Sequence, residues 1–370
     1  MRRSLLLGVT LLAGMAAGPL QAADVSIAVV GPMTGQLAAI GEQMKRGVQA
    51  AIDEINAKGG VQGNTLKIEV GDDQCDPKQA VAVANQMVSK GVRFVVGHAC
   101  SGSSIPAASV YGENEVFMIS PASSAPTFTD EAAKSGFNTI MRTYGRDDAQ
   151  GTFVGKWLAE KQKGKRIAVL HDKSAYGKGL ADEVRKAMNA GGLQEVTYEA
   201  ITAGEKDFSA LVTKLKQQNV DIIYLGGYHG EAALLIRQAR DQGLNATLMT
   251  GDSLASPEFW KIAGPSGEGT LMSFPKEPRN IPAAREMVAK FKAQGFEPEG
   301  FTLFSTAAVQ VIASGIDRAK STKPDAVAKA LKDATPSDTV LGPLGFDAKG
   351  DVKNPAYSIY VWRNGSYSEM

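Results

Sequence analysis

What most constrains this chain is an alternation. Short apolar runs, each ending in glycine or a polar cluster, are separated by stretches of helical length and period. Val25–Val30 (VSIAVV), Leu66–Val70, Phe94–Val96 and Val116–Ile119 read as strands, with helical periodicity over about 38–58, 77–89 and 103–111. Strands that are apolar throughout are those covered on both faces. Their alternation with helices at this interval predicts a parallel sheet with helices on either side. After Thr139–Arg142 the pattern restarts: strands at Arg166–Leu170, Glu195–Ala200, Ile222–Leu225 and Ala246–Thr250 alternate with helices over about 149–161, 178–190, 208–217 and 231–242. The segment Pro275–Pro282 reads as a crossover, followed by helices within 283–294, 302–320 and 325–331 and a terminal strand, Tyr357–Trp362. A length of 370 residues suits two such units. The expected fold class is α/β, two doubly wound parallel-sheet lobes.

Residues 1–23 stand apart. Arg2 and Arg3 precede the apolar run Leu5–Leu20, and Ala22 and Ala23 follow. This is the layout of a secretory signal peptide, and the run is short for a membrane span of roughly 20 residues. Removing the two arginines from 40 basic side chains leaves 38 against 39 acidic ones, a net charge of −1 with nothing to attract nucleic acid. Export places Cys75 and Cys100 in an oxidising space, where a pair usually forms a disulfide; two free buried thiols are the alternative. His98, His171 and His229 do not stand at zinc-ligand spacing with the cysteines, so no metal site is expected.

In parallel sheets of this kind ligands bind beyond the carboxyl ends of the strands. The chain's notable residues fall there. Phe94–Ser104 (FVVGHACSGSS) runs from a strand through small and hydroxyl residues into a helix, whose first N–H groups lack partners and favour an anion. Ser101 or Ser103 could equally cap that helix. Hydroxyls and N–H groups at Ala99–Ser101 and at Ala122, Ser123 and Ser124 suit a carboxylate. Across the expected cleft, Asp252 suits an ammonium, and Tyr176 and Tyr228 could cover a ligand when the lobes close. Local packing for the tyrosines and a helix cap for Asp252 are the alternatives. An enzyme lacks its parts: the chain has no G-x-S-x-G and no G-x-x-x-x-G-K-[ST], and GPMTGQ after the first strand is not G-x-G-x-x-G. No catalytic residue and no cofactor are expected.

Read together, these stretches resemble the periplasmic leucine/isoleucine/valine-binding proteins of ABC transporters, which have the type I periplasmic-binding fold. DDQCDPKQAVAVANQMV (72–88), VVGHACSGSS (95–104), MISPASSAP (118–126), IAVLHDKSAYGKGLA (167–181), ITAGEKDFSALVTKLK (201–216), YLGGYHGE (224–231), RQARDQGL (237–244) and LGFDAKGD (344–351) carry the likeness. The resemblance implies that Cys75 and Cys100 form the family's single disulfide. It implies that Ser101 binds a ligand carboxylate, that Ser124 stands for a ligand-contacting threonine, and that Tyr176 and Tyr228 close over the ligand. Asp252 stands where the family has a glutamate for the ammonium, within GDSL rather than a GPEG-type turn, and Ile40 replaces an aromatic residue. It further implies discontinuous lobes, 24–142 with 276–353 and 143–275 with 354–370, joined by a three-stranded hinge. The expected activity is capture of a free aliphatic amino acid in the periplasm by a monomer, for delivery to an ABC permease. A periplasmic sensor subunit of the same fold, for an amino acid or a small amide, is the alternative.

Overall fold

The computed structural model describes residues 24–333 and 335–370, so the signal peptide expected over 1–23 lies outside the described residues. The first unit runs β1 (Asp24–Gly31), α1 (Ala38–Ala57), β2 (Thr65–Asp72), α2 (Pro77–Ser89), β3 (Phe94–Gly97), α3 (Ser101–Glu113), β4 (Phe117–Ser120), α4 (Pro126–Lys134) and β5 (Ile140–Arg142). Its five strands form one parallel sheet in the order β2-β1-β3-β4-β5. Side chains alternate between the faces of a strand, and β1 shows why it is apolar throughout. Val25, Ile27 and Val29 enter one core cluster, while Ala28 and Val30 enter the other.

The second unit runs α5 (Asp147–Lys161), β6 (Ile167–His171), α6 (Ala175–Ala190), β7 (Thr197–Ala200), α7 (Ser209–Gln217), β8 (Ile222–Gly226), α8 (His229–Asp241), β9 (Thr247–Thr250), α9 (Glu258–Ala263) and β10 (Leu271–Pro275). The chain then adds α10 (Arg285–Ala293), α11 (Thr302–Ala319), α12 (Pro324–Leu331), the hairpin β11 (Ser337–Thr339) and β12 (Gly342–Leu344), and finally β13 (Tyr357–Arg363) and β14 (Ser366–Glu369). The second sheet has the order β14-β13-β10-β9-β8-β6-β7. Strands β6 to β10 are parallel, as expected, and β13 and β14 extend them antiparallel.

Tyr357–Trp362 is therefore not the terminal strand that its apolar pattern indicates. The chain reverses at Asn364-Gly365, both at positive φ (49° and 86°), the backbone that a two-residue hairpin turn needs. Strand β10 also escapes a sequence reading, because its five residues follow a Gly/Pro-rich stretch and lead into the Pro275–Pro282 segment. Helix α4 starts on Pro126, which is well placed in a first turn but reads as a breaker in a polar stretch.

Helix α11 carries the chain back onto α1. Thr306 Oγ1 donates to the Gly47 carbonyl at 3.1 Å, and a Cβ on Gly47 would stand 2.1 Å from the Thr302 carbonyl oxygen, so only glycine permits this approach. The segments that link the two sheets are themselves tied together. Arg142 N–H donates to the Gly350 carbonyl at 3.0 Å, and Tyr357 Oη donates to the Arg146 carbonyl at 3.3 Å. Asp351 lies between two arginines, 2.7 Å from Arg142 Nε and 2.8 Å from Arg146 Nη1.

Cys75, just past β2, and Cys100, at the start of α3, are joined by a disulfide with a Cα–Cα distance of 5.5 Å. The bond fastens two strand-end loops on the same edge of the first sheet. Opening a loop closed across 25 residues should cost about 3–4 kcal/mol of stability in the chain-entropy account. A Cys75→Ala/Cys100→Ala variant should therefore unfold at clearly lower urea than the oxidised protein. Equal midpoints would show that the crosslink contributes nothing.

Candidate functional site

The strand ends of the two sheets share a narrow cavity, with about 310 Å³ of non-atom space when the open solvent at its mouth is included. From the first sheet's side come Ile40, Ala99, Cys100, Ser101 and Ala122, and from the second sheet's side Tyr176, Tyr228, Asp252 and Ser253. Phe301, just before α11, completes the lining. Five sequence candidates, Ser101, Ala122, Tyr176, Tyr228 and Asp252, thus face one space, whereas Ser123 and Ser124 are not among the lining residues.

On the first side the backbone is held by hydroxyls. Ser120 Oγ donates to the His98 carbonyl at 2.6 Å, and Ser104 Oγ approaches the same oxygen at 3.2 Å. Ser123 Oγ lies 3.0 Å from the Ala99 carbonyl and 2.5 Å from Ser104 Oγ. The Ser123 hydroxyl is therefore engaged in fastening the 98–101 loop to the 120–124 loop, and its part in the site is to hold others in place. The His98 ring anchors the same loop from behind, with Nδ1 2.6 Å from Asp73 Oδ2.

Ser101 is the first residue of α3, and no side chain caps this helix. Its Oγ instead accepts the N–H groups of Ser124 (3.3 Å) and Ala125 (3.1 Å). With its acceptor capacity used, the Ser101 hydroxyl keeps its proton free to donate into the cavity. Ser103 and Ser104 N–H donate to the Cys100 carbonyl at 2.9 Å, which leaves the N–H groups of Ser101 and Gly102 without an intrahelical acceptor at the positive end of the helix. This wall donates hydrogen bonds and suits an anion. Ser124 supplies its backbone to the arrangement, and its buried hydroxyl has no hydrogen-bond partner in the protein.

The opposite wall accepts. Asp252 follows β9 in a short 3₁₀ turn and is 2% exposed. Its Oδ1 receives the Tyr176 hydroxyl at 3.0 Å and Gln150 Nε2 at 3.2 Å. Both bonds end on one oxygen, and no basic side chain pairs with this carboxylate among the described residues. Burial pushes the Asp252 carboxyl above its ordinary value, against the lowering effect of these hydrogen bonds. Tyr176 and Tyr228 stand with ring centroids 5.3 Å apart and form an apolar flank beside the acid. Ile40 and Phe301 supply the apolar surface on the other side.

Gln150, Ser253 and Phe301 escape a sequence reading. Gln150 sits inside a helix rather than at a strand end, and Ser253 resembles an ordinary turn residue, its hydroxyl donating to the Gly227 carbonyl at 2.6 Å. Phe301 reaches the cavity only because α11 returns to the first unit, where the Phe301 N–H donates to Gln43 Oε1 at 3.1 Å. Gln43 Nε2 in turn donates to the Ala255 carbonyl at 3.2 Å, next to the Asp252 turn. Among the described residues no three His, Cys, Asp or Glu side chains gather to hold a metal ion.

The position of Asp252 has a consequence for stability. A carboxyl held above its ordinary value of 3.8 keeps its proton in the folded protein at pH values where the unfolded chain has lost it. Asp252 therefore leaves the ligand-free fold unpenalised below that value and costs stability as the pH rises through the window above it. Ligand-free Asp252→Asn should gain on the wild type by about 1.4 kcal/mol for each pH unit inside the window, then stay ahead by a constant margin. Urea midpoints measured from pH 4 to 8 check this; a difference independent of pH would contradict it.

A family model described as periplasmic binding protein matches residues 24–366. The chain is 48% identical to the Leu/Ile/Val-binding protein homolog 2 of Brucella abortus over 99% of this chain and 97% of that one. It is 43% identical to the Leu/Ile/Val-binding protein BraC3 of Rhizobium johnstonii over 96% of each. Among solved structures, the leucine-binding protein LivK of Thermotoga maritima superposes with a TM-score of 0.86 at 28% identity, covering 94% of this chain and 97% of that chain. The substrate-binding protein LivJ of Streptococcus pneumoniae, solved in complex with isoleucine, gives a TM-score of 0.85 at 25% identity over 93% of this chain and 98% of that one. With a match across nearly the whole described chain and a close relative of equal length, this chain belongs to the periplasmic binding protein family.

Proposed function

We propose that this protein captures an aliphatic amino acid of the Leu/Ile/Val class in the periplasm and delivers it to an ABC permease. In this reading each sheet is the centre of a lobe, 24–142 with 276–353 and 143–275 with 354–370, and the segments linking the sheets form the hinge. The observation that carries the reading is the polarity of the cavity. One wall offers the Ser101 hydroxyl and the first turn of α3, the opposite wall offers the Asp252 carboxylate, and Ile40 and Phe301 lie on its apolar side. An α-amino acid is a short zwitterion with a side chain, and these three surfaces match its three parts. The names of the Brucella and Rhizobium relatives and the isoleucine complex of LivJ support the same class.

The open protein takes the carboxylate first, on Ser101 and neighbouring N–H groups near Ala122 and Ser124. Closure then brings Asp252 to the ammonium, with Tyr176 and Tyr228 over the ligand. The ligand favours the closed form because only there does it touch both walls. Capture involves no bond-making, so the ligand is released unchanged.

Magnitudes set the expected selectivity. Micromolar capture needs about −8 kcal/mol. Burying an aliphatic side chain supplies roughly 1.5–3 kcal/mol of that, so most of the affinity rests on well-paired charged ends. One methylene is worth about 0.8 kcal/mol. Leucine and valine should then differ only about fourfold, and alanine should bind roughly fiftyfold more weakly than leucine. Titration calorimetry with leucine, isoleucine, valine, alanine and glutamate measures the series, and tightest binding of glutamate would overturn the aliphatic assignment. Asp252→Ala should lose leucine binding by a hundredfold or more, on the order of 3 kcal/mol for a buried charge left unpaired. Undiminished binding would remove Asp252 from the ammonium role.

A further inference from the structure

Asp147, the first residue of α5, has no part in the account so far. It is fully buried, neither carboxylate oxygen has a partner in full hydrogen-bond geometry, and the Ser124 hydroxyl is the donor beside it. Among the described residues every other buried carboxylate is at least half satisfied. Asp73 holds His98 and the Cys75 N–H, Asp351 holds Arg142, Arg146 and Thr129, and Asp172 and Asp252 each use one oxygen. Glu231 receives the Gly204 N–H. Asp147 is therefore not a helix cap, which would accept an N–H bond.

Its surroundings place it beside the candidate site. Its backbone N–H donates to the Ser124 carbonyl at 2.9 Å, directly behind the carboxylate-binding wall. One turn along the same helix, Gln150 donates to Asp252 Oδ1 at 3.2 Å. Across from it, a Cβ on Gly179 would stand 3.9 Å from Asp147 Oδ2, and one turn earlier on that helix Tyr176 donates its hydroxyl to the same Asp252 oxygen. Asp147 and Asp252 thus adjoin the same pair of helices, α5 and α6, at neighbouring turns.

The charge of Arg142 reaches Asp147, but among the described residues no basic side chain pairs with either acid. Arg142 donates to the Ser123 and Ala125 carbonyls and lies against Asp351, while Arg146 is taken up by Asp130, Asp148 and Asp351. The Ser124 hydroxyl lies beside Asp147, the phenols of Tyr144, Tyr176, Tyr224, Tyr228 and Tyr357 are within electrostatic reach of it, and Asp148 adds negative charge. Burial, and next to it the charge of Asp252, pushes the Asp147 carboxyl well above its ordinary range. Two carboxyls buried together without a paired counter-ion are costly until a positive group arrives in the adjoining cavity.

We propose that Asp147 is a second acid of this site: a specificity-determining residue, set behind Asp252, that makes a positive charge on the ligand a condition of tight binding. It acts on the ligand's cation through the field in the cavity, as a second negative group beside Asp252. The inference rests on the amino-acid reading above and deepens it.

The test compares leucine with 4-methylpentanoate, the same molecule lacking its ammonium, on wild type and on Asp147→Asn, by titration calorimetry. Wild type should prefer leucine strongly. Asp147→Asn should weaken leucine by roughly tenfold or more and leave 4-methylpentanoate unchanged or improved. Its ligand-free melting temperature should equal or exceed that of wild type, since a buried unpaired acid has been removed. Should the asparagine variant fail to fold, Asp147→Ser carries the same comparison. An unchanged leucine affinity, or equal losses for both ligands, overturns the inference while leaving the functional reading intact. A wild type that binds no leucine, isoleucine or valine overturns the functional reading and the inference with it.

Discussion

A carboxylate buried without a cation of its own is the constraint on which the rest of this structure turns. Asp252 is enclosed by Tyr176 and Gln150, both bonded to one oxygen. In a folded protein such a group is expensive unless something positive comes to it. The cost is tolerable here because the fold is already rigid around it. Both sheets are covered on either side, and their linking segments are knitted by the Arg142–Asp351–Arg146 ion cluster. The stability of the cores underwrites a site whose acid is only half satisfied, and in the proposed function the ligand's ammonium completes it.

The opposite wall follows the complementary logic. A hydroxyl whose lone pairs are taken by two N–H groups can only donate, and Ser101 is held in that state by Ser124 and Ala125. The serines around the His98 carbonyl and the Cys75–Cys100 bond fix the loops that make this possible. One wall thus donates and the other accepts, and within each wall the groups are held by strand-end loops and their hydrogen bonds rather than by flexible side chains. Within each wall the ordering cost is met at folding.

Much of this was legible in the sequence because two rules are strong. Strands apolar throughout must be covered on both faces, and ligands of parallel sheets gather past the strand ends. Together they locate Ser101, Ala122, Tyr176, Tyr228 and Asp252 before any coordinate is known. The sequence was ambiguous where a residue type serves two purposes. Ser101 reads equally as a helix cap, and only the path of the 120–125 loop shows that its hydroxyl faces other partners. Ser123 looks like its neighbours, yet its side chain turns to the backbone. Asp147, Gln150 and Phe301 were not visible because their relation to the site is created by helix packing between segments distant along the chain, and no local pattern encodes it. The Asn364-Gly365 turn is different: its signal was present and was masked by the stronger apolar run before it.

A crystal structure with leucine bound tests the central claim most directly. The account predicts the carboxylate within hydrogen-bond distance of Ser101 Oγ, the ammonium within hydrogen-bond distance of Asp252, and the side chain toward Ile40 and Phe301. Leucine bound the other way round, or outside the space shared by the two sheets, would contradict it.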